Sequence, residues 1–166
     1  MRSALPKRSK VRAGITTAER ATLDAMAKEV VMLRAGATPI REREGSRTVV
    51  RWWGQCQWCT LILRAAAPSG WLQWAHIHSR GAAPHMVWDT DNAWAGCAKH
   101  HLFGWHKDPN LAERFIAELI GPVRRRQLEV RALVRPAQRY RPSFREVQML
   151  ILEARRRVLS GTEVRA

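Results

Sequence analysis

Long hydrophobic runs, acidic residues and an even complement of cysteines are what this 166-residue chain lacks. No apolar stretch approaches the roughly 20 residues that a membrane-spanning helix needs. The basic N-terminal residues Arg2, Lys7, Arg8, Lys10 and Arg12 are not succeeded by a hydrophobic signal core. A membrane partner is therefore not expected, and the expected location is the cytoplasm. Three cysteines cannot all pair with one another, and the Cys-x-x-Cys spacing of Cys56 and Cys59 points to metal or redox use rather than to oxidised staples. Asp and Glu number 14 against 29 Lys and Arg, which leaves a formal net charge of +15. That imbalance costs self-repulsion unless a polyanion relieves it, and nucleic acid does so because neutralised phosphates release their counterions. Charge names the class of partner, not the chemistry.

The chain is long enough for one domain with a real core and too short for two comfortable ones. Residues 1–15 are basic without periodicity and read as a flexible arm. Residues 16–45 read as a helix and a connection. Thr16 and Glu19 have capping-box spacing, Leu23, Met26, Ala27, Val30 and Val31 recur at helical spacing to about Leu33, and Gly36, Pro39 and Gly45 punctuate the connection. Residues 46–121 form the central unit, entered by a short strand at Thr48–Trp53. All three cysteines, all six histidines and all eight tryptophans lie between Trp52 and His106. Asp108 and Pro109 start a helix that Gly121 and Pro122 end. Residues 122–166 read as a basic helical extension, with Arg124, Arg125 and Arg126 in a short helix to Val134. A last helix is capped by Ser143 and Glu146 and decorated by Arg155, Arg156 and Arg157. The expected fold class is α+β.

Two pairs of soft ligands, Cys56/Cys59 and Cys97/His100, are each separated by two residues, the spacing that turns both side chains toward one tetrahedral ion. A structural Zn2+ in a Cys3His site is the expected result, with His101 open as a replacement for His100. It would staple a unit too small to bury a large core. Trp71 to Arg80 alternates as a strand, which would put His76, His78 and Arg80 on one face. Trp88-Asp89-Thr90-Asp91-Asn92 and the run His100 to His106 come next. The tryptophans supply burial around the knuckle, while Trp52, Trp53 and Trp105 are candidates for base stacking.

Cys-x-x-Cys, a Leu-x-x-x-His-x-x-Ser-Arg strand, Trp-Asp-x-x-Asn and a second ligand pair, in that order, resemble the HNH (His-Me finger) endonucleases, and more closely the phage recombination nucleases of the NinG/Rap type. The resemblance spans roughly residues 20–110 and is specific from Cys56 to Pro109. It implies a ββα-metal core with a zinc knuckle, and metal-dependent hydrolysis of DNA phosphodiester bonds. Carried over residue by residue, it makes His76 the general base, Asn92 the side chain that holds the loop and the base, and His101 a ligand of a catalytic divalent cation such as Mg2+. His106 is then the best second ligand, and Arg80 a holder of phosphate. Arg80, Arg124, Arg125 and Arg126 are the expected nucleic-acid contacts. The implied substrate is duplex or branched DNA, including recombination intermediates such as Holliday junctions, in a phage-infected or prophage-bearing bacterium. Symmetric cutting of a junction would call for a homodimer, although no segment is diagnostic of an interface.

The sequence departs from the family pattern at two places that bear on metal. Ala75 stands where many HNH sites have Asp or His, and His101 and His106 are five apart rather than three or four. A zinc-stabilised DNA-binding module without catalysis is therefore the second reading. A redox protein using Cys56 and Cys59 is the third.

Overall fold

The computed structural model describes residues 14–64, 69–104, 107–134 and 142–162, so most of the N-terminal arm, and His106 with Trp105, lie outside the described residues. The elements are α1 (Thr17–Arg34), β1 (Thr38–Glu44), β2 (Arg47–Gly54), α2 (Gln57–Leu61), β3 (Gly70–His76), β4 (Ala93–Cys97), α3 (Pro109–Leu133) and α4 (Phe144–Leu159). The fold is α+β, a central antiparallel sheet of order β1-β2-β3-β4 flanked by N- and C-terminal helices.

Helix α1 forms where its cap and stripe predict. The Glu19 amide donates to Thr16 Oγ1 at 3.2 Å, and the Thr16 amide donates to the Glu19 carboxylate at 2.8 Å. These reciprocal bonds satisfy donors that a helix N-terminus leaves orphaned. Ser143 and Glu146 build the same device at the start of α4. Leu23, Ala27 and Val30 of α1 pack against Val147, Ile151 and Ala154 of α4, and Arg155 reaches Glu29 at 2.9 Å across the pair. The two helices thus form one layer, joined to the sheet through Trp74.

Residues 38–44, expected to belong to a connection, are instead strand β1. They pair with β2 from Thr38↔Trp53 to Glu44↔Arg47 around a turn at Gly45 and Ser46. Hydrophobic alternation is absent from Thr-Pro-Ile-Arg-Glu-Arg-Glu, so no apolar period announces the strand. It is held by ladder hydrogen bonds, and Gly45 takes the left-handed φ of +61° that the tight turn demands. The alternation of Trp71 to Arg80 also ends early. Strand β3 stops at His76, and Ile77 turns its amide to the Asn92 carbonyl at 2.9 Å. His76, His78 and Arg80 therefore do not share one strand face. The break expected at Gly121 and Pro122 is present as a kink, with Gly121 at φ 71° and ψ 165°, and the helical path resumes to Leu133.

The core beneath β3 and β4 is aromatic. Trp94 on β4, Trp58 on α2 and Phe115 on α3 are all at most 2 % exposed. Ring centroids lie 4.9 Å apart for Trp58–Phe115 and 4.8 Å for Trp94–Phe115, and each such pair contributes about 0.5–1.5 kcal/mol beyond its burial. Trp52 belongs to this core, at 6 % exposed, which removes it as a stacking candidate; Trp53 is 38 % exposed. Glycine is required at position 96, because a Cβ there would run into the Trp94 ring. Gly96→Ala should cost about 1–3 kcal/mol by overpacking, read as a fall in the denaturation midpoint, whereas Gly70→Ala, at a position with open space, should leave it unchanged.

Candidate metal centre and histidine site

Four side chains from two separate parts of the chain meet beside the aromatic core. Cys56 is the residue before the first turn of α2, Cys59 lies within that turn, Cys97 ends β4, and His100 opens a π-helical turn over His100–Gly104. His100 Nδ1 is 3.8 Å from Cys56 Sγ, 3.1 Å from Cys59 Sγ and 3.3 Å from Cys97 Sγ, and all four donor atoms lie within 4.8 Å of one another. A tetrahedral Zn2+ with bonds of about 2.3 Å to sulfur and 2.0–2.1 Å to nitrogen sets ligand–ligand edges of about 3.5–3.8 Å. The cluster has the ligand types and nearly the spacing of a structural zinc site. It is the one cluster of at least three potential metal-ligating His, Cys, Asp or Glu side chains among the described residues. His100, not His101, is the fourth member. Its ring lies parallel to Trp58, at 18° and 6.0 Å, which ties the ligand to the core.

Electrostatics agree with a cation at this position. Burial pushes the Cys59 thiol up to about 12, with the neighbouring Cys56 and Cys97 adding to it, and burial also raises Cys56. Three crowded thiolates repel one another in a poorly hydrated site, and a divalent ion reverses that cost. A reactive redox pair needs the opposite environment, one that lowers the thiol pKa.

A second constellation sits where β3 ends. His76 Nε2 donates to the Val87 carbonyl at 3.0 Å, so the neutral ring carries its lone pair on Nδ1. Burial holds the imidazole below its ordinary value; the Val87 carbonyl opposes this, and the charges of Arg80 and His101 reinforce it. Asn92 is fully buried. Its Oδ1 accepts from the His78 amide at 2.7 Å, and its Nδ2 donates to the carbonyls of His78 at 3.0 Å and Met86 at 3.3 Å. One amide thereby stitches both ends of the loop that supplies the partner of His76. His101 Nδ1 bonds Gln73 Oε1 at 2.8 Å. Sequence reasoning missed Gln73; its signal was a single amide in the apolar strand Trp71–Ala75.

Of the other expected site residues, Arg80 is near enough for its charge to act on His76. Arg80 stacks over Trp74 at 5.3 Å and stands 3.8 Å from Asp24, and Asp89 pairs with Arg131 at 3.1 Å. Arg124 is bound to Asp91 at 2.8 Å, with Arg34 and Arg131 on the same carboxylate. Burial alone would raise Asp91, but these three guanidinium groups hold it below the usual carboxylate range. Arg125 is engaged by Glu113 and Glu129, and Arg126 is left at the surface. His106 lies outside the described residues. Among the described residues, no helix is long and apolar enough to cross a membrane. No family model, curated protein or solved structure matches the chain.

Two substitutions separate these centres. Cys59→Ser should remove stoichiometric zinc, measured by mass spectrometry of the native protein, and lower thermal stability sharply, because structural zinc contributes on the order of 10 kcal/mol to such folds. Asn92→Ala should keep the zinc and cost about 2–4 kcal/mol in denaturant unfolding, since it strands buried groups of His78 and Met86.

Proposed function

We propose that the chain is a zinc-stapled DNA-binding protein whose His76–Asn92–His101 constellation makes it a metal-dependent endonuclease of the HNH type. The observation that carries the catalytic part is the state of His76. Its Nε2 is occupied by a carbonyl, its ring is half-buried beside the loop that carries Arg80, and burial favours the neutral form that can accept a proton.

In this reading His76 Nδ1 takes a proton from water as the oxygen attacks phosphorus, and the P–O bond to the leaving 3′ oxygen breaks. Asn92 keeps the loop, and through Val87 the ring, in one orientation. Gln73 fixes the rotation of His101, which, with His106, would hold a divalent cation such as Mg2+. When bound, that ion would supply charge stabilisation at a nonbridging and the leaving oxygen. Arg80, exposed at the loop, would take a second phosphate oxygen by exchanging its weak contact with Asp24. The sequence likeness to NinG/Rap-type nucleases supports branched DNA as the substrate and a phage setting for the work.

A binding module without catalysis is favoured by a specific observation. The metal-ligand cluster among the described residues is the Cys3His one, and Ala75 adds no ligand beside His76. Cleavage of labelled duplex, single-stranded and four-way-junction DNA with and without Mg2+ or Mn2+ decides between the two. Expected are ion-dependent cutting, its loss in His76→Ala with DNA affinity retained, and an acid limb with a midpoint below that of an ordinary imidazole, because His76 must be neutral and burial lowers its pKa. Binding without cutting under every condition would leave the module reading in its place.

A further inference from the structure

Beyond its root, the β1–β2 hairpin has no role in the core or in either centre. From Thr38 to Arg51 none of its residues is buried, and only Glu42 and Val49 are even half-covered. The ribbon is anchored at its root, where Trp52 enters the core and Trp53 meets Trp71 edge-on at 5.1 Å, the first of just two residue pairs joining β2 to β3. Strand β1 runs about 20 Å from root to tip at 3.4 Å per residue. A two-stranded ribbon that buries nothing is marginal on its own and adds little to the stability of the body.

Its charges are sorted by face. Residues opposite one another in the ladder share a face. Glu42, Glu44 and Arg51 therefore lie on one side, where Arg51 pairs with both acids and is 3.0 Å from Glu42. Arg41 opposite Val50 and Arg43 opposite Thr48 lie on the other side, which carries no acid. Both arginines are exposed, and among the described residues neither has a carboxylate partner. Strand β1 is also a sheet edge, and Pro39 with its four alternating charges discourages strand-to-strand pairing with a second copy.

We infer that this hairpin is a duplex-DNA arm, a ribbon that enters the major groove and presents Arg41 and Arg43 to phosphates. The inference rests on the proposed DNA-binding function and names a contact surface that includes none of the residues assigned to cutting. The groove, about 12 Å wide, admits a two-stranded ribbon. Two exposed guanidinium groups, two residues apart on one face, are the charge complement of its rim.

Anisotropy titration of the full chain against a labelled duplex over a range of NaCl concentrations tests it. Arg41→Ala/Arg43→Ala should weaken binding at least tenfold at low salt and reduce the slope of log K against log[salt] by about 1.8, the value for two lost phosphate contacts. Zinc content and thermal midpoint should stay unchanged. Wild-type binding with an unaltered slope in the double variant would overturn the arm and leave the DNA-binding reading standing. No duplex binding by the wild type would overturn both. A change from dimer to monomer in sedimentation, with DNA affinity unchanged, would make the hairpin a self-association face and also overturn the arm.

Discussion

Convergence of three thiols and one imidazole on a single point is the constraint on which the centre of this molecule depends. Cys56 and Cys59 begin α2, Cys97 ends β4, and His100 lies in the turn beyond it, so one ion would clamp segments about forty residues apart. The aromatic triad of Trp58, Trp94 and Phe115 is arranged around the same clamp: Trp58 lies between two of the cysteines in sequence and stacks on the histidine in space. Metal coordination at the cluster would make ion and ring packing two parts of one stabilising unit. A sheet of four short strands, two of which share a ladder of two residue pairs, needs such a fastening.

Legibility of the fold tracked the strength of its local signals. Caps at Thr16 and Ser143, the helical stripes of α1 and α4 and the break at Gly121 are written in side-chain type and spacing, and they form where those features dictate. Cys-x-x-Cys and Cys-x-x-His defined the metal cluster because ligand spacing is itself a geometric constraint. Strand β1 was illegible because its pairing is carried by backbone groups common to every sequence. The early end of β3 was hidden because alternation continues in the residues after the strand stops, and only the buried Asn92, fourteen positions away from His78, pulls them off course. Gln73 and the arginines around Asp91 depend on contacts between distant segments, which a linear reading does not specify.

The polar chemistry near β3 depends on apolar enclosure. Asn92 can serve as a three-bond tie only because it is wholly withdrawn from water, where no solvent competes for its amide. The same enclosure keeps His76 toward its neutral form. Orientation and protonation state at this end of the sheet have one cause, which explains why so polar a group is kept at the centre of the loop rather than at its surface.

Asp91 gives the kinked helix a mechanical part. Arg124 and Arg131 belong to α3 beyond Gly121, Arg34 ends α1, and all three grip one carboxylate on the residue beside Asn92. The bend at Gly121 works as an elbow that swings the far half of α3 back onto the loop carrying the histidine site. Forces applied along that distant helical segment would pass through a short, stiff linkage to Asn92. The loop and the C-terminal half of α3 would then yield together, as a single brace, rather than fraying independently.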